Sequence, residues 1–153
     1  MHLTFQRATP ADVETLVAVQ IAAFNNDAVI YPGVAVGGPP GYDSVAENLR
    51  QMREEDYYKI LADGQIVGGI VVANIVGAHY HLGTLYIHPD YHHRGIGGAA
   101  LKFIESVYPA RRWTLNTPDY ATRNHRFYEK HGYVKTGEHP FRYFRLFDYE
   151  KKV

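Results

Sequence analysis

Residues 92–101 read His92-His93-Arg94-Gly95-Ile96-Gly97-Gly98-Ala99-Ala100-Leu101, a basic, glycine-rich loop that runs into an apolar helix. Glycine lets the backbone turn tightly and approach a ligand closely. The amide groups that open a helix have no partner within it and lie at the positive end of its dipole, so they form an anion site. Arg94 adds a fixed charge and a fork of donors suited to phosphate. The ligand such a loop fits is a phosphate or pyrophosphate on a larger molecule. A bulky residue at Gly97 is expected to block that approach and leave the fold largely intact.

Two further groups carry chemistry. Tyr128 follows Asn124 by four residues, so both lie on one helix face. A phenol is an adequate acid for a leaving group of similar basicity, such as a thiolate. Five of the nine histidines (His79, His81, His88, His92, His93) cluster in one stretch, and His79 and His81 share a strand face. No Asp or Glu of matching spacing completes a ligand set with them, so no metal is expected. His81 titrates in the range of a general base. Its side of the strand depends on whether a bulge interrupts the alternation.

The segment His92-His93-Arg94-Gly95-Ile96-Gly97, placed after Ile87-His88-Pro89, resembles the acetyl-coenzyme A motif Gln/Arg-x-x-Gly-x-Gly/Ala of the GCN5-related N-acetyltransferase (GNAT) superfamily. His92 stands where Gln or Arg is usual. The segment Asn124-His125-Arg126-Phe127-Tyr128-Glu129-Lys130-His131-Gly132-Tyr133 resembles the family's helix ending in Phe-Tyr-x-Lys-x-Gly-Phe. Ala121 occupies the position, seven before the tyrosine, where an asparagine is common. The resemblance spans residues 3–149. It implies an α+β fold, with a mixed, mostly antiparallel central sheet flanked by helices. The activity it implies is acetyl-CoA-dependent N-acetyl transfer to a primary amine, by direct attack within a ternary complex. His92, His93, Arg94, Gly95, Ile96, Gly97 and Gly98 would then hold the pyrophosphate. Leu85, Tyr86 and Ile87 would pair through their backbone with the pantetheine arm, as an added strand does, and the Ile87 amide would meet the acetyl carbonyl. Asn116 or Asn124 would replace the absent asparagine, and Tyr128 would protonate the departing thiolate.

The base is His81, a water, or none if the acceptor arrives neutral. The acceptor pocket is expected from the long loop and the C-terminal hairpin, with Tyr31, Tyr42, Arg142 and Tyr143 as candidates. The acceptor amine is open: amino acid, polyamine, aminoglycoside, peptide terminus or protein lysine. One alternative is a non-catalytic coenzyme A binder or regulatory protein of the same fold. Another is a dinucleotide-binding oxidoreductase using Gly95-x-Gly97-x-x-Ala100. It fits poorly, because Pro89 to Arg94 separates the strand from the first glycine and the next strand ends at Asn116 rather than at an acid.

The elements that must position these groups form one domain over residues 1–153, of ordinary globular composition at 46% hydrophobic and 21% charged. Zero net charge gives no global field toward nucleic acid or anionic membranes. Without cysteine there is no disulfide and no thiolate nucleophile. No signal peptide or membrane span is evident, so a cytoplasmic monomer or homodimer is expected. Leu3–Ala8 reads as a strand, and Thr9-Pro10-Ala11-Asp12 as a helix start leading to the apolar face Val13, Leu16, Val17, Gln20, Ile21 and Phe24. Asn25–Tyr42 reads as a long irregular loop. A helix capped by Asp43 or Ser44 would turn Val45, Leu49 and Met52 inward. Strands over Tyr57–Ala62 and Gln65–Asn74 join at Asp63-Gly64, and a third covers Tyr80–Ile87. In the helix after Gly95, the residues Ile96, Ala100, Phe103, Ile104 and Val107 form one stripe. A strand over Arg112–Asn116 and a helix over Ala121–His131 follow, the latter closed by Gly132. A final hairpin, Tyr133–Glu138 with Phe141–Tyr149, would turn at His139-Pro140.

Overall fold

The computed structural model describes all residues, Met1–Val153. Seven strands form one sheet: β1 (Leu3–Arg7), β2 (Asp56–Ala62), β3 (Gln65–Val76), β4 (His79–Ile87), β5 (Arg112–Pro118), β6 (Val134–Phe141) and β7 (Phe144–Lys152). Their order is β1-β2-β3-β4-β5-β7-β6. Every neighbouring pair is antiparallel except β4–β5, which is parallel. The helices are α1 (Val13–Asn25), the single turn α2 (Asp27–Ile30), α3 (Val45–Glu54), α4 (Ile96–Val107) and α5 (Thr122–Lys130). This is the mixed, mostly antiparallel α+β architecture that the motifs imply.

Two cores lie on opposite faces of the sheet. Leu16 and Val19 of α1 pack on Tyr57, Val71 and Tyr86. Ile96, Ala100, Leu101 and Ile104 of α4 and Tyr128 of α5 pack on Ile60, Ile70, Val72, Leu82, Trp113 and Leu115. Local chemistry starts these helices as expected. The Thr9 amide and hydroxyl both donate to Asp12 Oδ2, at 2.9 and 3.2 Å, and Pro10–Asp12 forms a tight 3₁₀ turn before α1. Ser44 caps α3 by accepting the Glu47 amide at 3.1 Å. Asp63 and Gly64 both take positive φ (50° and 83°), as a two-residue hairpin turn requires.

Four local expectations are corrected. The loop Asn25–Tyr42 contains the turn of helix α2. Val45 is exposed, and α3 instead buries the polar Asn48. Its amide group donates to the Gly41 and Ser44 carbonyls and its Oδ1 accepts from the Tyr57 hydroxyl at 2.8 Å, so the buried amide is satisfied. Val107 is exposed because Leu101, not the end of the stripe, completes the buried face of α4. The last hairpin turns at Arg142-Tyr143, since Phe141 pairs with Phe144 and both His139 and Pro140 remain within the ladder. Proline is tolerated there because β6 is an edge strand, and its missing N–H costs no bond on the open side.

The Asn48 network ties the end of the long loop to the sheet. Replacing Asn48→Leu removes one of two partners from each of the Gly41 and Ser44 carbonyls and the acceptor of the buried Tyr57 hydroxyl, which keeps only Tyr86. We expect a loss of about 1–3 kcal/mol in urea unfolding; a loss below about 0.5 kcal/mol would show that water satisfies these groups as well.

Candidate active site

The parallel strands β4 and β5 pair only at His79–Arg112, Tyr80–Trp113 and His81–Thr114, then part. β4 continues along β3 to Ile87, and β5 continues along β7 to Pro118. The separation begins at a bulge, because Leu82 faces Val72 and Thr84 faces Val71 while Gly83 has no partner of its own. An extra residue on one strand bends it and raises its twist. Beyond the bulge the His88 amide bonds the Val67 carbonyl at 2.8 Å. Antiparallel residues alternate between bonded and non-bonded pairs. Leu85 and Ile87 therefore direct their peptide groups away from β3, into the gap beside β5. The Ile87 carbonyl is taken there by His92 Nε2 at 2.8 Å. Tyr86 differs from its neighbours: its peptide faces β3, and its ring lies in the core, where its hydroxyl meets that of Tyr57 at 2.5 Å.

The glycine-rich loop sits at the open end of this gap. Gly95 is the residue before α4 and has φ +78°, a left-handed conformation that glycine adopts without a Cβ penalty. The amides of Ile96, Gly97 and Gly98 precede the first intrahelical bond, from the Ala99 amide to the Gly95 carbonyl. His93 and Arg94 are exposed, and Arg94 lies over the Tyr91 ring at 5.0 Å. His92 anchors the loop to β4, and burial holds its imidazole below the ordinary value. Gly97 has a packing reason beside the one expected. A Cβ there would stand 2.9 Å from the Phe127 ring, so this glycine lets α5 approach α4. One on Gly98 would stand 3.0 Å from His131 Nε2.

The side chains meet the gap from both faces. Tyr128 is buried among Phe127, Tyr133 and Tyr149 on the α4–α5 side, and burial alone raises its pKa. Asn124, one turn earlier, donates to the Thr117 hydroxyl of β5 at 3.2 Å. Asn116 projects from the other face and bonds Asp148, so only Asn124 lies on the side of Tyr128. The bulge sets the side of His81. Leu82, Leu85 and Ile87 pack into the α4 core, and Tyr86 packs into the α1 core. His79 and His81 alternate with Leu82 and so share the α1 side. Both rings bond one oxygen: His79 Nε2 and His81 Nδ1 each lie 2.8 Å from Thr114 Oγ1. Burial lowers both imidazoles, so His81 is mainly neutral at pH 7.

The expected acceptor residues fall in two groups: Tyr42 lies beside α1, whereas Tyr31 and the Arg142-Tyr143 turn are linked through Tyr120, which packs on both Tyr31 and Phe144. Tyr42 packs edge-on to Phe24 and donates to Asn25 Oδ1, which pins the long loop to α1. Tyr31 is buried against Tyr120, and its hydroxyl accepts the Arg123 amide at 3.3 Å. Arg142 (φ +55°) and the fully exposed Tyr143 form the tip of the β6–β7 turn. Sequence reasoning passed over Thr114, which joins the histidines, and Gly83; an isolated glycine inside a strand was the available sign of the bulge. It also passed over Asp27, whose carboxylate is pushed up to about 6 by burial.

A family model described as an acetyltransferase (GNAT) domain matches residues 53–135, more than half of the chain. The chain belongs to this family. It is 45% identical over 73 residues to the uncharacterized protein YrkN of Bacillus subtilis (strain 168), and the match covers 46% of this chain. The chain spans about 40% of the length of that curated relative. Its fold is similar to that of a PaiA N-acetyltransferase from Thermoplasma acidophilum solved in complex with coenzyme A: TM-score 0.83, 22% identity, all of both chains covered. An acetyltransferase from Thermus thermophilus gives a TM-score of 0.78 at 18% identity, covering 100% of this chain and 98% of that one. No helix is long and apolar enough to cross a membrane.

Two substitutions test this description. Gly97→Val drives its branches into Phe127, and we expect a loss of about 1–3 kcal/mol in thermal unfolding; an unchanged melting temperature would return Gly97 to a purely ligand-facing role. Asp27 has a folded pKa of about 6 against 3.8 for the free group. Its neutral form is favoured by folding, so the benefit is whole below pH 3.8 and lost as pH rises through about 6. Asp27→Asn should therefore raise the melting temperature above about pH 7 and leave it unchanged near about pH 3.5. Equal shifts at both values would contradict the burial.

Proposed function

We propose that this protein transfers the acetyl group of acetyl-CoA to a primary amine, by direct attack within a ternary complex at the β4–β5 gap. The observation that carries the reading is the row of backbone groups on Leu85 and Ile87 that face the gap and have no strand opposite. An extended ligand with amides can complete that edge as an added strand. The pantetheine arm has this character, and its pyrophosphate suits the amides of Ile96, Gly97 and Gly98 with Arg94 beside them. The family membership and the coenzyme A held by the Thermoplasma protein support the same choice of ligand.

The residues divide the work. The thioester supplies the activated acyl group. The Ile87 amide donates to the carbonyl oxygen as negative charge builds there, a contribution that grows in a site shielded from water. Tyr128 keeps its proton at all working pH values, because burial disfavours the phenolate. In this reading its hydroxyl donates to the leaving thiolate. His81, neutral and on the opposite face, accepts the proton lost by the attacking nitrogen. The acceptor reaches it from the side of α1, the long loop and the β6–β7 turn. Lowering the pH through the depressed value of His81 protonates it and slows transfer.

The test is single-turnover release of coenzyme A thiol with a panel of amines. Tyr128→Phe keeps the ring and loses the proton, and we expect a fall of about 10²–10⁴-fold with unchanged acetyl-CoA affinity. A wild-type single-turnover rate in this variant would remove Tyr128 from the mechanism. Binding of acetyl-CoA with no turnover on the whole panel would favour the non-catalytic reading.

A further inference from the structure

We propose that His79 and Thr114 form, with His81, a proton relay that fixes the base-competent form of His81 and carries its proton to solvent. The proposal rests on the reading of His81 as the base. Thr114 Oγ1 lies 2.8 Å from both His79 Nε2 and His81 Nδ1. A hydroxyl has one proton, so it donates to one ring and accepts from the other. Only two arrangements satisfy both bonds. In the first, Thr114 donates to His81 Nδ1; His81 then carries its own proton on Nε2 and has no free lone pair for an amine. In the second, His81 Nδ1–H donates to Thr114, and the Thr114 hydroxyl donates to His79 Nε2. His81 Nε2 is then an open acceptor, and His79 carries its proton on Nδ1.

The second arrangement also moves charge without moving atoms far. The attacking nitrogen gives a proton to His81 Nε2. The Nδ1 proton passes to Thr114 Oγ1, and the Thr114 proton passes to His79 Nε2. His79 becomes the imidazolium and releases its Nδ1 proton to solvent, which leaves both rings neutral but in the first arrangement. Uptake of a proton at His79 Nδ1, the same two transfers in reverse and release of the His81 Nε2 proton to solvent return the chain to the second. The charged neighbours do not impose this direction, since Arg112 opposes charge on His79 more than Glu150 favours it and Asp148 favours charge on His81. Glu150 of β7 favours the charged form of His79, although its carboxylate is also paired with Arg112 of β5 at 3.1 Å, and Arg112 opposes that charge. Asp148 of β7 lies near His81 and is paired with His139 of β6 at 3.2 Å. On the β3 side the partner of His81 is the uncharged Ala73. His79 is thus a positioning residue, and it does not touch the substrate.

The tautomers can be read without knowing the acceptor. Long-range proton–nitrogen spectra of the full chain labelled with ¹⁵N-histidine, above the pH of both transitions, should show His79 and His81 each protonated on Nδ1. Thr114→Ser should preserve both forms, and Thr114→Val should release them to independent mixtures. A His81 protonated on Nε2 in the native protein would overturn the relay. With an acetylated amine in hand, Thr114→Val should lower kcat by at least about tenfold and shift the pH profile, with Thr114→Ser restoring both. If His81→Ala is slow but Thr114→Val keeps the native rate and profile, the relay alone falls. If His81→Ala itself transfers at the native rate, the base assignment falls and the relay with it.

Discussion

The parting of β4 from β5 after three residue pairs is the constraint on which the rest of the structure depends. Backbone amides and carbonyls inside a sheet are normally paired, and leaving them buried without partners is costly. Here two adjacent strands in the middle of a seven-stranded sheet leave their facing edges open. The bulge at Gly83 bends β4 away, and α4 with its left-handed Gly95 begins at the wide end of the opening. His92 ties the loop before the helix to the last carbonyl of β4. The same opening is bordered by α5, which Gly97 lets approach through Phe127. In the proposed binding mode a pantetheine-like ligand would find a prepared edge, with little protein left to order on binding.

The sheet also separates two chemical tasks. On the α4–α5 face, Tyr128 sits in an apolar, aromatic setting that keeps its proton on. On the other face, His79, His81 and Thr114 lie in a polar row with Asn116, Asp148 and Glu150. In the proposed mechanism a proton donor and a proton acceptor of opposite environment approach one gap from opposite sides, which is how a site keeps an acid and a base from neutralising each other. Helices α1 and α3 pack on the β2–β4 part of that second face.

Much of this was legible in the residues. The glycine-rich loop, the strand before it and the helix carrying Tyr128 each have a local signature, and those three elements place the gap. The element types were legible because alternation and turn chemistry are local. What escaped depends on contacts between distant segments. Asn48 looked like a surface position of α3, yet it is buried because the Tyr57 hydroxyl of β2 and the Gly41 carbonyl of the long loop both meet its amide. His139-Pro140 looked like a turn, yet an edge strand tolerates it. The hold of Phe24 and Asn25 on Tyr42 likewise joins segments that are apart in sequence. The packing role of Gly97 also escaped, because its neighbour is the ring of Phe127 on the following helix. The partnership of His81 with Thr114 requires the β4–β5 register, which no pattern within either strand encodes.

The most direct test of the account is a titration of the ¹⁵N-labelled protein with coenzyme A, following every backbone amide. The open edge and the helix start predict that the largest shifts fall on Leu85, Ile87 and Gly95 to Gly98, with Asn124 and Thr117 moving less. The amides of Tyr86 and Thr84, bonded to β3, should move least along that strand. Saturable shifts confined to another part of the molecule, with Leu85 and Ile87 unmoved, would contradict the account.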